Sequence, residues 1–82
     1  MTDSDLQRAR QGIGTRTREA RIAKGLTQAK LGKRVGLNQS VVALIEEGVL
    51  WHPSVVSGLA MALDVTPAWV HWGERLEDKR VE

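Results

Sequence analysis

Cysteine is absent from the 82 residues. That excludes disulfides and thiolate metal sites as props for the fold, and it fits a reducing compartment. Long apolar runs are also missing: none approaches the roughly 20 residues of a membrane-spanning helix. The opening residues Met1-Thr2-Asp3-Ser4-Asp5 are acidic with no apolar stretch behind them, so they do not read as a signal peptide. The chain shows no alternating strand pattern, repeat or linker. It has no glycine-rich phosphate loop, and its two histidines, His52 and His71, lack a partner nucleophile. These absences argue against an enzyme. His71 and Glu74, three apart, are too few ligands for a metal site, and no cofactor is expected. What remains is one small domain, whose marginal core makes dimerisation a natural supplement.

Charge is distributed unevenly. The net charge is only +2, yet from Arg8 to Arg34 nine basic residues face a single acid, Glu19, a local balance of +8. From Val35 to Glu82 three basic and seven acidic residues leave −4. Such asymmetry suggests a polyanion for the first half, against the alternative of ordinary solvated helix faces.

Apolar spacing and cap chemistry predict five helices. Leu6, Ala9, Ile13, Thr17 and Ala20 share a face of the first, which ends near Lys24 with Gly25 as its cap. Gly12 and Gly14 weaken it, so residues 1–12 read as an arm or a helix extension. Thr27 caps the second helix, Leu31 and Val35 share its inner face, and Gly36 ends it. Asn38 is expected to cap the third helix, whose inward pair is Val42 and Ile45, with Val41 and Leu44 on a neighbouring stripe; Gly48 stops it. Ser54 is the expected cap of a fourth helix burying Val56, Leu59, Ala60 and Leu63. Thr66-Pro67 opens a short fifth helix through Trp69 to Trp72, with Gly73 at its end. A charged tail, 75–82, follows the domain at 13–74.

Two short helices joined by Val35-Gly36-Leu37-Asn38 have helix-turn-helix dimensions. The wider string is more specific: Ile13-Gly14, Ala20-Arg21, Gly25-Leu26-Thr27-Gln28, Leu31-Gly32, Val35-Gly36-Leu37, Val42, Ile45-Glu46-Glu47-Gly48, Pro53-Ser54, Leu59-Ala60, Leu63-Asp64-Val65-Thr66-Pro67 and Trp69. In this order they strongly resemble the lambda-repressor-like family of phage repressors, Cro proteins and Xre-type regulators. The resemblance covers about Ile13 to Glu74. It implies an all-α, compact five-helix domain with its helix-turn-helix at helices two and three. The implied function is sequence-specific binding of double-stranded DNA by a transcriptional regulator, a repressor or Cro-like protein dimeric on a palindromic operator. The implied setting is cytoplasmic and nucleoid-associated, in a bacterium or phage-infected cell.

The resemblance also assigns residues. Gln39 and Ser40 take the base-reading positions at the start of the recognition helix, with Gln39 able to pair bidentately with adenine. Val41 and Leu44 suit thymine methyl contacts. Thr27, Gln28, Lys30, Lys33, Arg34, Asn38 and Arg16 are the backbone candidates, and Arg10 and Arg18 offer further charge on the first helix. Gln28 is expected to touch phosphate and brace Gln39. Arg21 and Glu46 match a partly buried structural salt bridge, and Gly32 sits where two helices cross closely. Trp69 is the expected core anchor.

Departures bear on the partner surface. Thr17 and Ala20 replace larger aliphatic groups, and Trp51 or Trp72 are candidates to fill the space. The loop Val49-Leu50-Trp51-His52 makes a poor phosphate clamp. It either folds onto the core or serves a partner. Leu50, Trp51, Val70, Trp72 and Leu76 are the dimer-interface candidates. The rival reading is an antitoxin that binds a protein toxin through its apolar loop and acidic tail while autoregulating its operon.

Overall fold

The computed structural model describes residues 2–73. The tail 74–82, including Leu76 and Glu74, lies outside the described residues. Five helices follow in order: α1 Asp3–Ala23, α2 Gln28–Val35, α3 Gln39–Glu46, α4 Pro53–Ala62 and α5 Pro67–Trp72, with no strand among the described residues. The all-helical, five-helix architecture expected from sequence is the one observed.

Residues 3–12 continue α1 without a break. A capping box secures this end: the Thr2 hydroxyl accepts from the Asp5 amide and the Asp5 carboxylate accepts from the Thr2 amide, each at 3.2 Å. Asp3 and Asp5 also place negative charge at the positive end of the helix dipole. Gly14 is a packing requirement. A Cβ there would collide with the carbonyl oxygens of Ile45 and Glu46, so α1 rests directly on the carboxyl end of α3.

The motif itself is built from local rules. Thr27 has extended backbone, and its hydroxyl accepts from the Lys30 amide at 3.1 Å. Gly36 adopts φ 73°, which lets the Leu37 amide return to the Gly32 carbonyl at 2.8 Å. Gly32 is small because a Cβ would strike the Leu37 carbonyl in the turn, rather than because α3 itself crosses there. Asn38 occupies the cap position of α3, but its side chain makes no capping bond. Its carbonyl takes the Val41 and Val42 amides instead.

The cap of α4 falls on His52 and not on Ser54: imidazole Nδ1 accepts from the Ser54 amide at 3.3 Å. Pro53 explains the shift. Its fixed φ suits the first helical position, and it forces the preceding residue into extended backbone, where His52 sits at φ −154° and ψ 135°.

Two apolar clusters hold the helices. Ala20, Leu31, Val42, Ile45, Leu59 and Leu63 form the larger, and Ile13, Val56, Ala60 and Val70 the smaller. Trp69 is half-buried and packs against both. Trp51 and Trp72 do not fill the space beside Thr17 and Ala20, being 37% and 68% exposed. Thr17 is fully buried, and its hydroxyl donates back to the Ile13 carbonyl at 2.8 Å, which satisfies it within its own helix. Ala20 instead leaves a shallow groove, lined with Glu19, Ala23, Val65 and Trp69.

Candidate nucleic-acid interface

The turn of α2 into α3 presents one wall of α3 to the core and the other outward. Val42 and Ile45 are 0% and 1% exposed, whereas Gln39 and Ser40 lie open at the amino end. Leu44, one turn beyond Ser40, is exposed too. Val41 differs from expectation: it is half-buried against the larger cluster and offers only an edge. The reason is angular. At 100° per residue Val41 falls beside Ile45, while Ala43 and Glu47 fall on the outward side with Ser40 and Leu44. Ala43, half-buried, is thus an outward position that its spacing of four from Gln39 marks, and Glu47, exposed, follows one turn later.

On α2, Lys30, Lys33 and Arg34 are all exposed. Asn38 is exposed with its amide uncommitted to its own helix. Gln28 behaves otherwise than expected. Its Nε2 donates to Glu46 Oε1 at 3.0 Å, so it braces the end of α3 and not Gln39 at the beginning.

Glu46 gathers an arginine cluster. Arg21 Nε lies 2.6 Å from Oε2 and Arg21 Nη2 3.1 Å from Oε1, with Arg18 Nε 3.4 Å away on the same Oε1. Arg21 Nη1 also donates to the Leu26 carbonyl at 2.9 Å and so ties down the turn before α2. Burial alone would raise the Glu46 pKa, but the hydrogen bonds from Arg21 and Gln28 and the Arg21 charge outweigh it and hold the carboxyl below its ordinary value. Glu46 is thus an ionised, fully engaged structural carboxylate.

Arg16 has a job inside the fold. Nε donates to the Val70 carbonyl and Nη2 to the His71 carbonyl, both at 2.8 Å. It caps the carboxyl end of α5, and desolvation there lowers its pKa despite the nearby Glu19. Arg16 is therefore not a backbone-contact residue as the sequence suggests, because two of its donor groups face protein carbonyls.

The loop 49–52 stays open. Val49, Leu50 and Trp51 are 59%, 41% and 37% exposed. Trp51 meets His71 edge-on at 5.9 Å, and His71 tilts against Trp72 at 5.6 Å, so the loop and α5 share one apolar surface. Val70 does not belong to it: at 0% exposed it is a core residue, since the inward face of so short a helix must supply the packing against Ile13 and Val56. Among the described residues no cluster could hold a metal ion, and no helix is long and apolar enough to cross a membrane.

A capped two-helix motif with an open recognition face, set among cations, defines a helix-turn-helix DNA-binding transcriptional regulator, not an enzyme. A family model described as Helix-turn-helix matches residues 18–70, and the chain belongs to that Xre-type helix-turn-helix family. Among solved structures it is similar to the restriction-modification controller protein C.AhdI from Aeromonas hydrophila. The two share 36% identity and superpose with a TM-score of 0.75, over 80% of this chain and 97% of that one.

Proposed function

We propose that this regulator binds a palindromic operator as a two-fold dimer, represses transcription there, and serves as a controller of restriction–modification genes. The observation that carries the reading is the exposed amino end of α3. Gln39 and Ser40 stand clear of the core while Val42 and Ile45 anchor the opposite wall. Gln39 reads adenine, Ser40 tunes the neighbouring pair, and Leu44 with Ala43 and the edge of Val41 meets thymine methyls. Thr27, Lys30, Lys33, Arg34 and Asn38 hold the phosphates that fix the register, with Gln28 bracing the motif from within through Glu46. The likeness to a restriction-modification controller protein supports the genetic setting.

One recognition helix reads too few base pairs to select among genomic sites. Pairing two copies doubles the readout and sets the helices about 34 Å apart on one face of the duplex. Leu50, Trp51 and Trp72, bridged by His71, are the surface for that pairing. Selection of bound sequences from random duplex DNA tests the reading directly. A dyad-symmetric consensus is expected, and enrichment of no sequence would overturn it. Methyltransferase or endonuclease genes adjoining the selected site would support the controller role, and their absence from every such site would remove it.

A further inference from the structure

We infer that Arg18 is the α1 cation that grips a DNA phosphate, and that Glu46 is its positioning residue. Four arginines on α1 precede the paired Arg21: Arg8, Arg10, Arg16 and Arg18. Packing orders them along the molecule. Gly14 lies on the end of α3, and Gln11 lies on Gly48, where a Cβ would meet the Gln11 Cα at 3.0 Å. Toward its amino end, α1 therefore runs out along the loop after α3, carrying Arg8 and Arg10 away from the motif. Toward its carboxyl end it reaches Leu26, beside the start of α2. Arg16 is turned to α5. Arg18 alone of the four stands at the junction of α1, α2 and α3, joined to Gln28 through the shared Glu46 oxygen.

Its geometry suits the task. The Arg18 side chain is 50% exposed, and its Nε rests 3.4 Å from Glu46 Oε1. Holding a guanidinium by Nε leaves Nη1 and Nη2, the planar fork, available for bidentate pairing with phosphate oxygens. Arg21, by contrast, is 14% exposed and has all three nitrogens engaged. Glu46 carries one negative charge against two arginines, so the cluster keeps a net positive charge beside Gln28. A buried carboxylate, itself held by Arg21 and Gln28, thus reduces the freedom Arg18 would lose on meeting the backbone.

The inference rests on the DNA-binding reading of α2 and α3, and the experiment separates the two. Affinity for the selected operator is measured across a salt series for the full chain, Arg18→Gln and Arg8→Gln, with thermal melts of each. Arg18→Gln should weaken binding about tenfold at moderate salt, with the slope of log K against log salt shallower by about 0.9. Its selected sequence should stay unchanged, and its melting temperature should fall far less than that of Glu46→Ala, because Arg21 and Gln28 still hold the carboxylate. Arg8→Gln removes the same charge from the distal end of α1 and should leave the slope intact. Phosphate-ethylation interference should lose one phosphate per half-site with Arg18→Gln. An unchanged slope and footprint, or an equal loss with Arg8→Gln, would overturn the inference. A wild-type chain that bound no duplex would overturn the DNA reading itself.

Discussion

Arg16 and Val70 are joined across 54 residues of sequence by a 2.8 Å hydrogen bond from guanidinium Nε to carbonyl, and the adjacent bond to the His71 carbonyl makes the arginine a cap for α5. The last carbonyls of a helix lack intrahelical donors, and a cation there complements the dipole. Arg16→Met keeps the apolar stem and removes the donors. It should destabilise the fold by about 1–2 kcal/mol, allowing for partial exposure, while leaving the salt dependence of DNA binding unchanged. Urea melts and a salt titration check the two halves separately.

The Glu46 cluster gives an acid-sensitive stability. Its folded pKa lies below the ordinary carboxylate value, with hydrogen bonds and the Arg21 charge overcoming the opposing effect of burial. The contribution is therefore present above the unfolded carboxylate pKa and is lost as pH falls through the lower folded value. Glu46→Ala leaves Arg21 without its partner at 14% exposure and should cost about 3–5 kcal/mol. Glu47→Ala, on the exposed neighbour, should change stability by less than about 0.5 kcal/mol. Thermal melts at neutral pH compare the variants. Repeating them between pH 6 and pH 3 should show the wild type converging on Glu46→Ala.

Glycines separate by what surrounds them. A Cβ at Gly32 meets a backbone carbonyl in the turn, which cannot yield without moving α3. Gly32→Ala should destabilise by about 1–3 kcal/mol and weaken operator binding with it. A Cβ at Gly58, inside α4, meets nothing within 4 Å. Gly58→Ala should stabilise by about 0.5–1 kcal/mol, the usual helix gain of alanine over glycine. A denaturation series on the pair checks both signs.

These contrasts show where sequence speaks. Thr27, Gly36, Thr66-Pro67 and Gly73 announce helix ends through chemistry confined to four or five residues, and the helices lie where those signals put them. The inward sets Val42 with Ile45 and Val56 with Leu59 and Ala60 follow from period alone. Arg16, Gln28 and Val70 read as surface residues in the sequence, yet each turns to a partner 18 or more residues away or into the core. Spacing along one helix gives faces but not what a face meets. His52 displaced Ser54 as a cap because the proline between them decided where the helix began.

Base readout should depend on Gln39 and affinity on Lys33. Gln39→Ala removes a bidentate partner and should weaken specific binding by about 1–3 kcal/mol, with relaxed preference at one base pair per half-site. Lys33→Ala should weaken operator and random DNA alike, with a shallower salt slope. An unchanged consensus with Gln39→Ala would place the recognition register elsewhere on α3.

The last expectation concerns assembly. Trp72 is 68% exposed and Leu50 41%, a large apolar area for so small a protein to show to water. Trp51 and His71 connect them through edge-on and tilted ring contacts, so the patch spans both the loop and α5. A two-fold contact here would be self-complementary, with each Trp72 meeting the partner's loop. Its limited area predicts weak pairing in solution, strengthened when two half-sites hold the subunits at high effective concentration. Gel shifts on a full operator should therefore show cooperative two-to-one binding. Leu50→Ala and Trp72→Ala should reduce that cooperativity by severalfold or more, a change of about 1–2 kcal/mol, while leaving affinity for an isolated half-site nearly constant. Because both side chains stand largely outside the core, their melting temperatures as monomers should change little. A one-to-one complex of full affinity on a site without dyad symmetry would refute the dimer while leaving the helix-turn-helix intact.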